Sequence, residues 1–203
     1  MKLLIATNNA HKAKEIREIL SDSFTEMLTM REAGVELEVE ENGTTFEENA
    51  LKKATETLAF VGDRFDAVLA DDSGLCVDAL NGAPGVYSAR FSGEGHNDAA
   101  NNARLITLLK DVPDERRTAR FCCCVALARH DTDPIVVLGT VDGFILHEAH
   151  GENGFGYDPY FFYAPLKKSF AELSAEEKNA VSHRKRALLK LREALNVEDR
   201  RCF

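Results

Sequence analysis

No apolar run in this 203-residue sequence approaches the ~20 residues of a transmembrane helix, so a membrane-spanning reading has nothing to stand on. Excess positive charge is also missing. Lys and Arg number 25 against 34 Asp and Glu, a formal net charge of -9. Broad binding to nucleic acid or to an anionic membrane needs a basic surface and is excluded on that ground. A small anionic ligand is not excluded, because a metal ion and a few local cations can reverse the field in one pocket. A disulfide framework is absent too. There are five cysteines, an odd count, three of them consecutive (Cys122, Cys123, Cys124), with no metal-type pair spacing. The expectation is a reducing, cytoplasmic compartment, with "FCCCVALA" as small buried residues of a strand. The start, "MKLLIATNNAHK", has one Lys and five apolar residues before polar text. That is too short for a secretory signal and reads as a first strand. Repeats, low-complexity segments and linkers are all lacking, and the length suits one domain, compact or two-lobed.

Helical and strand patterns interleave. Residues 2–6 read as a strand and 10–20 as a helix with Ala13, Ile16 and Leu20 on one face. "VELEV", 35–39, alternates apolar and acidic residues like a half-buried strand. Thr44 or Thr45 with Glu47 or Glu48 makes a capping box. The helix it opens carries Phe46, Ala50, Ala54, Leu58 and Val61 on one stripe and stops at Gly62-Asp63. A strand at 67–70 leads into "DDSG". "NGAPG", 81–85, is turn chemistry. Asn97 or Asp98 caps a helix to about Lys110. Residues 119–129 and 135–141 form a central hairpin, which Phe144–Leu146 extends. Residues 151–159 are a glycine-rich loop. Ser174 with Glu177 caps a short helix, and a last helix spans about 183–195, leaving a loose tail. The expected fold is α/β, a single domain over 1–203 with a mixed central β-sheet flanked by helices.

Four polar clusters fall at element boundaries, where ligand groups usually sit. "TNNAHK", Thr7 to Lys12, joins a strand to a helix start whose N–H groups suit phosphate oxygens. It lacks the Gly-x4-Gly-Lys spacing of a P-loop, and an N-capped helix start explains it equally well. "EVEENGTTFEENALKKA" crowds Glu40, Glu41, Glu47 and Glu48 together, with Lys52 and Lys53 following. Acids near a helix N-terminus suit the macrodipole. Glu40 and Glu41 precede the helix and suit a hard cation, which takes one or two carboxylates plus substrate phosphate. "ADDSG" puts Asp71 and Asp72 side by side; successive strand side chains point to opposite faces, so one acid can face a ligand while the other braces the backbone. A plain turn is the competing reading. "GFGYDP" offers Phe155 and Tyr157 for stacking on a planar base, and "EEKNAVSHRKRA" offers Lys178, His183 and Arg184. Core packing and a solvated helix face are their bland alternatives. Acids for a metal, cations for phosphates and an aromatic loop point together to metal-assisted phosphate chemistry on a nucleotide.

In order, "TNNAHK", "GTTFEENALKKA", "ADDSGLCVDALNGAPGVYSARFSG", "GFGYDPYFF" and "AEEKNAVSHRKRA" resemble the noncanonical purine nucleoside triphosphate pyrophosphatases, the inosine triphosphate pyrophosphatase or RdgB-type family. The match runs from Leu4 to about Leu195. The resemblance implies Mg²⁺-dependent hydrolysis of ITP, dITP and XTP to monophosphate and pyrophosphate. It implies that Thr7, Asn8, Asn9, Ala10, His11 and Lys12 bind substrate phosphate and that Asp72 is general base and metal ligand. It implies that Ser73 contacts substrate and that Glu40 helps hold the metal; Lys53, with Lys12, Lys178 and Arg184, is a candidate to stabilise phosphate charge. Phe155, Gly156, Tyr157, Asp158, Lys178, His183 and Arg184 bind nucleotide. It further implies an elongated domain with two lobes around an active-site cleft, and a homodimer. Asn8 and His11 stand where many members carry glycine. A Maf-like pyrophosphatase for other modified nucleotides, or a non-catalytic nucleotide-binding module, would share part of this pattern.

Overall fold

Alternation of side chains across a strand decides how this chain is layered. The computed structural model describes residues 1–201 apart from Asn8, Glu94 and His96, and without the side chains of His11 and of residues 198–201. Seven strands form one sheet in the order β2-β1-β3-β4-β5-β6-β7. They are β1 (Lys2–Ile5), β2 (Glu26–Thr29), β3 (Ala67–Val77), β4 (Thr118–Arg129), β5 (Ile135–Ile145), β6 (Phe161–Tyr163) and β7 (Lys168–Ser169). β1 pairs in parallel with β2 and β3, while β6 is antiparallel to β5 and β7, so the sheet is mixed as expected. The helices are α1 (Ala10–Leu20), α2 (Phe46–Val61), α3 (Asp98–Leu108), α4 (Ala175–Val181) and α5 (His183–Arg201). The chain divides into two compact units.

The first unit comprises Met1–Asp72, Cys123–Gly139 and the chain from Arg184. Here Leu3, Ile5, Leu69, Cys123, Val125 and Leu127 pack in one cluster with Ile16 and Leu20 of α1 and Leu188 and Leu191 of α5. The intervening residues Leu4, Val68, Ala70, Cys124 and Ala126 pack in another with Ala50, Ala54, Leu58 and Val61 of α2. Period-two alternation thus sends odd and even strand residues to different helices. The cysteine run obeys the same rule. Burial pushes the Cys123 thiol up, and that of Cys124 up to about 12, so both stay neutral.

The second unit comprises Ser73–Cys122 and Thr140–His183. Its core gathers Leu75 and Val77, Leu105 and Leu109, Phe121, Phe161 and Phe170. The Phe121 and Phe161 rings lie 4.6 Å apart, tilted by 52°. Arg117 is buried there, and its guanidinium donates to the carbonyls of Leu109, Ile145 and Leu146 at 2.7, 2.7 and 3.0 Å.

Three expectations are corrected. Residues 35–39 form no strand; Val35 is buried, but its N–H donates to Met30 O at 2.9 Å and closes a turn. The strand beside β1 is instead β2, whose "EMLT" lacks clear alternation and takes its place by pairing Leu28 with Leu4. "DDSG" is no turn, because β3 continues through it to Val77. The segment expected to be loose is helical through Arg201, a direct extension of α5; Cys202 and Phe203 lie outside the described residues.

Candidate active site

Because β3 runs on through the acids, Asp71 and Asp72 inherit its alternation. Leu69 faces α1 and α5, so Asp71 does too; Ala70 faces α2, so the next even position, Asp72, does too. The hydrogen bonds follow that division.

Asp71 is buried, and its Oδ2 takes Lys12 Nζ of α1 at 2.8 Å and Arg184 Nε of α5 at 3.4 Å. Arg184 Nη1 also donates to Glu15 Oε2 at 3.2 Å. Burial alone would raise the Asp71 carboxyl; the charges of Lys12 and Arg184 overcome it and hold the group well below the usual carboxylate range. The charges of Asp71 and Glu15 in turn raise the Arg184 guanidinium against its own burial.

Asp72 is buried too, and its Oδ2 accepts from Asn49 Nδ2 of α2 at 2.9 Å. The start of α2 is fixed by a capping box between Thr45 and Glu48. From one face of that helix, three side chains reach the segment just before it. Asn49 Oδ1 accepts from Gly43 N at 2.8 Å, and Lys52 Nζ donates to Glu40 O at 2.8 Å and Asn42 Oδ1 at 3.0 Å. Lys53 pairs with the Glu41 carboxylate and donates to the Asp71 carbonyl at 3.3 Å. The spacing i, i+3, i+4 is what puts all three on one side.

The first loop is a capped helix start. Asn9 N donates to Thr7 Oγ1 at 3.1 Å, and Asn9 Oδ1 accepts from Lys12 N at 3.2 Å. Ala10 and His11 open α1, and Asn8 lies outside the described residues. Thr7, Asn9, Lys12, Glu40, Lys53, Asp72 and Arg184 all belong to the first unit.

The second unit holds the remaining expected residues. Ser73 lies on β3. In the glycine-rich loop, Asp158 is buried and accepts from Phe155 N at 2.9 Å and from Lys178 of α4. Burial raises the Asp158 carboxyl, against the pull of Lys178. Lys178 Nζ also sits 4.5 Å from the centroid of the Phe155 ring, a cation–π contact on an aromatic that is 54% exposed. Gly154 makes this turn possible. Its φ is +79°, and a Cβ there would meet Asp158 Oδ2 at 2.2 Å. Gly156 is held at both ends, its N–H by Asp98 Oδ2 and its carbonyl by Asn102 Nδ2, each at 2.8 Å. Tyr157 is core rather than an exposed platform, with its hydroxyl donating to Ser88 O at 2.7 Å. His183 is buried and stacks on Phe121 at 5.0 Å.

Asn49 and Glu15 were missed in the sequence. Both had a signal: each is three or four residues from a lysine already singled out (Lys52 and Lys53, and Lys12), hence on the same helix face.

An α/β sheet that carries one cation-clamped and one amide-held acid on adjacent strand positions defines a candidate site for chemistry on a phosphorylated ligand. The profile of the Ham1 family matches residues 3–194, and the chain belongs to that family. It is 50% identical over 197 residues to a dITP/XTP pyrophosphatase of Clostridium perfringens, covering 96% of this chain and 97% of that protein. Its fold matches the Ham1 protein of Staphylococcus aureus with a TM-score of 0.89 at 40% identity, covering 98% of this chain and all of that one. A nucleoside-triphosphatase, dITP/XTP pyrophosphatase, of Mycobacterium abscessus matches with a TM-score of 0.79 at 46% identity, covering 94% and 98%.

Proposed function

We propose that this chain is a nucleoside triphosphate pyrophosphatase that hydrolyses the noncanonical purine nucleotides ITP, dITP and XTP to monophosphate and pyrophosphate. The observation that carries the reading is the division of Asp71 and Asp72 between two helix layers, with Lys12, Lys53 and Arg184 around them. It joins a relative bearing the dITP/XTP pyrophosphatase name at 50% identity.

The donor chemistry fits a divalent metal. Asp72 is an anionic oxygen donor whose Oδ2 is steadied by an amide, and Lys52 fixes the backbone at Glu40. Two carboxylates with substrate phosphates are the usual ligands of Mg²⁺. The Glu41 carboxylate pairs with Lys53, so we assign Glu40 as the second ligand. Mg²⁺ held by Asp72 and Glu40 would neutralise charge on the phosphate chain.

The chain's own residues divide the remaining work. Asp72 aligns the attacking water at the α-phosphorus and takes its proton. Lys12, in the first turn of α1, and Lys53, midway along α2, supply positive charge toward the phosphates, while Thr7 to His11 and Ser73 supply hydrogen-bond donors. Lys12 and Arg184 keep Asp71 ionised, and Asp71 in turn holds Lys12 in place. On the resemblance of the motifs we assign base binding to Phe155 for stacking, with Lys178 and Asp158 setting its loop, and to Gly156, Tyr157 and His183 in support. A pocket that donates hydrogen bonds to a 6-keto oxygen leaves those donors unpaired against a 6-amino group, which can discriminate by ~10⁴. We further infer a cytoplasmic homodimer, on the cysteine usage and on the resemblance of the motifs.

The test is pyrophosphate release from ITP, XTP, dITP, ATP and GTP, with Mg²⁺ and with a chelator. The expected result is release from the first three, at least ~10² faster in kcat/KM than from ATP, and lost on chelation. Equal kcat/KM for ATP and ITP would contradict the base selection. Release untouched by chelation would contradict the metal.

A further inference from the structure

We infer that Asn49 is the positioning residue that sets the two metal-binding carboxylates in register. The inference rests on the reading of Asp72 and Glu40 as metal ligands and goes beyond it by naming what aligns them.

Asn49 is 1% exposed, and both ends of its amide are engaged. The Gly43 N–H can only donate, so the end it meets is the amide oxygen. The opposite end is then the NH₂, and it donates to Asp72 Oδ2 at 2.9 Å. The amide is therefore a polar strut between two segments far apart in sequence. One is β3, which carries Asp72; the other is the turn before α2, which carries Glu40. A donor fixed on one carboxylate oxygen restrains the orientation of the carboxylate plane.

Gly43 supports the same conclusion through sterics. A Cβ at position 43 would lie 2.7 Å from Asn49 Oδ1 and 2.8 Å from Glu48 Cβ, closer than real Cβ contacts allow. The turn can reach Asn49 only because residue 43 has no side chain. Lys52, one turn along α2, repeats the clamp on Glu40 O and Asn42 Oδ1. Helix α2 thus works as a rigid jig, with its cap at Thr45 fixing the angle at which Asn49 leaves the axis. Residues that orient metal ligands from behind typically change affinity or activity by about 10–100-fold when lost.

Two variants and two readouts test this. Asn49→Ala removes the strut. Gly43→Ala pushes the turn off it while Asn49 stays in place, and carries the test where Asn49→Ala does not fold. Mn²⁺ affinity is measured with an inosine triphosphate analogue bridged by nitrogen between the α and β phosphorus atoms, and kcat and KM are measured with ITP. Both variants are expected to weaken Mn²⁺ binding by about 10-fold or more and to lower kcat by about 10–100-fold, with KM for ITP changed by less than about threefold. A folded Asn49→Ala protein with wild-type Mn²⁺ affinity overturns the inference, whatever its thermal stability. A wild-type protein that releases no pyrophosphate from any of the purine triphosphates overturns instead the functional reading beneath it.

Discussion

At the scale of single residues, the two adjacent acids do different work because a strand turns them to different sides. Asp71 is enclosed by Lys12 and Arg184, whereas Asp72 meets the neutral amide of Asn49. Removing the charge of Asp71 takes one of the two carboxylates away from the buried Arg184 and leaves Glu15, and breaking a buried pair this way costs about 3 kcal/mol. Asp71→Asn is therefore expected to lower unfolding stability by about that amount in urea. Asp72→Asn keeps a side-chain oxygen for Asn49 to donate to but loses the carboxylate, and kcat is expected to fall by at least ~10². Near-wild-type turnover of Asp72→Asn at saturating Mg²⁺ would contradict the role given to that carboxylate. The pH dependence has a definite sign. The folded-state pKa of Asp71 lies below its unfolded value, so the carboxylate's contribution is complete above the ordinary Asp range, about pH 4. It is lost as pH falls below that. Urea unfolding at a series of acidic pH values should show wild type losing its advantage over Asp71→Asn only below about pH 4. An advantage already lost by pH 6 would contradict the assignment.

At the scale of elements, much was legible in the sequence. The α2 capping box, the α2 stripe and the α1 boundaries came from local chemistry that tertiary packing left alone. β2 was not legible, because "EMLT" acquires its identity from the β1 edge beside it. The continuation of β3 through "DDSG" was hidden because charged residues normally end a buried strand. These two stay inside because helices on either side bring partners to them. Asn49 was invisible as a functional residue for a related reason: its partners, Asp72 and Gly43, come from outside its own helix. The glycine-rich loop belongs to this scale as well. Gly154→Ala puts a Cβ against Asp158 at a backbone angle that L-residues rarely adopt. Its expected effect is on nucleotide binding: KM for ITP raised by about 10-fold, with pyrophosphate still the product. An unchanged KM would separate this loop from the nucleotide.

At the scale of the whole molecule, a net charge of -9 makes a triphosphate an improbable ligand by bulk electrostatics. Local arrangement offsets this, since Lys12 meets the Asp71 carboxylate and Lys53 the Asp71 carbonyl. The sequence disclosed this balance in outline, as acids and cations recurring at element boundaries. It did not disclose which cation met which acid, because Lys12, Arg184 and Asp71 are 59 and 113 positions apart along the chain. If water attacks the α-phosphorus and pyrophosphate leaves, the oxygen of the solvent must end in the monophosphate. Hydrolysis of ITP in water enriched in the heavy oxygen isotope tests it most directly, with the products separated and weighed by mass spectrometry. One heavy oxygen is expected in inosine monophosphate and none in pyrophosphate. Label in pyrophosphate, or in orthophosphate accompanied by inosine diphosphate, would contradict it.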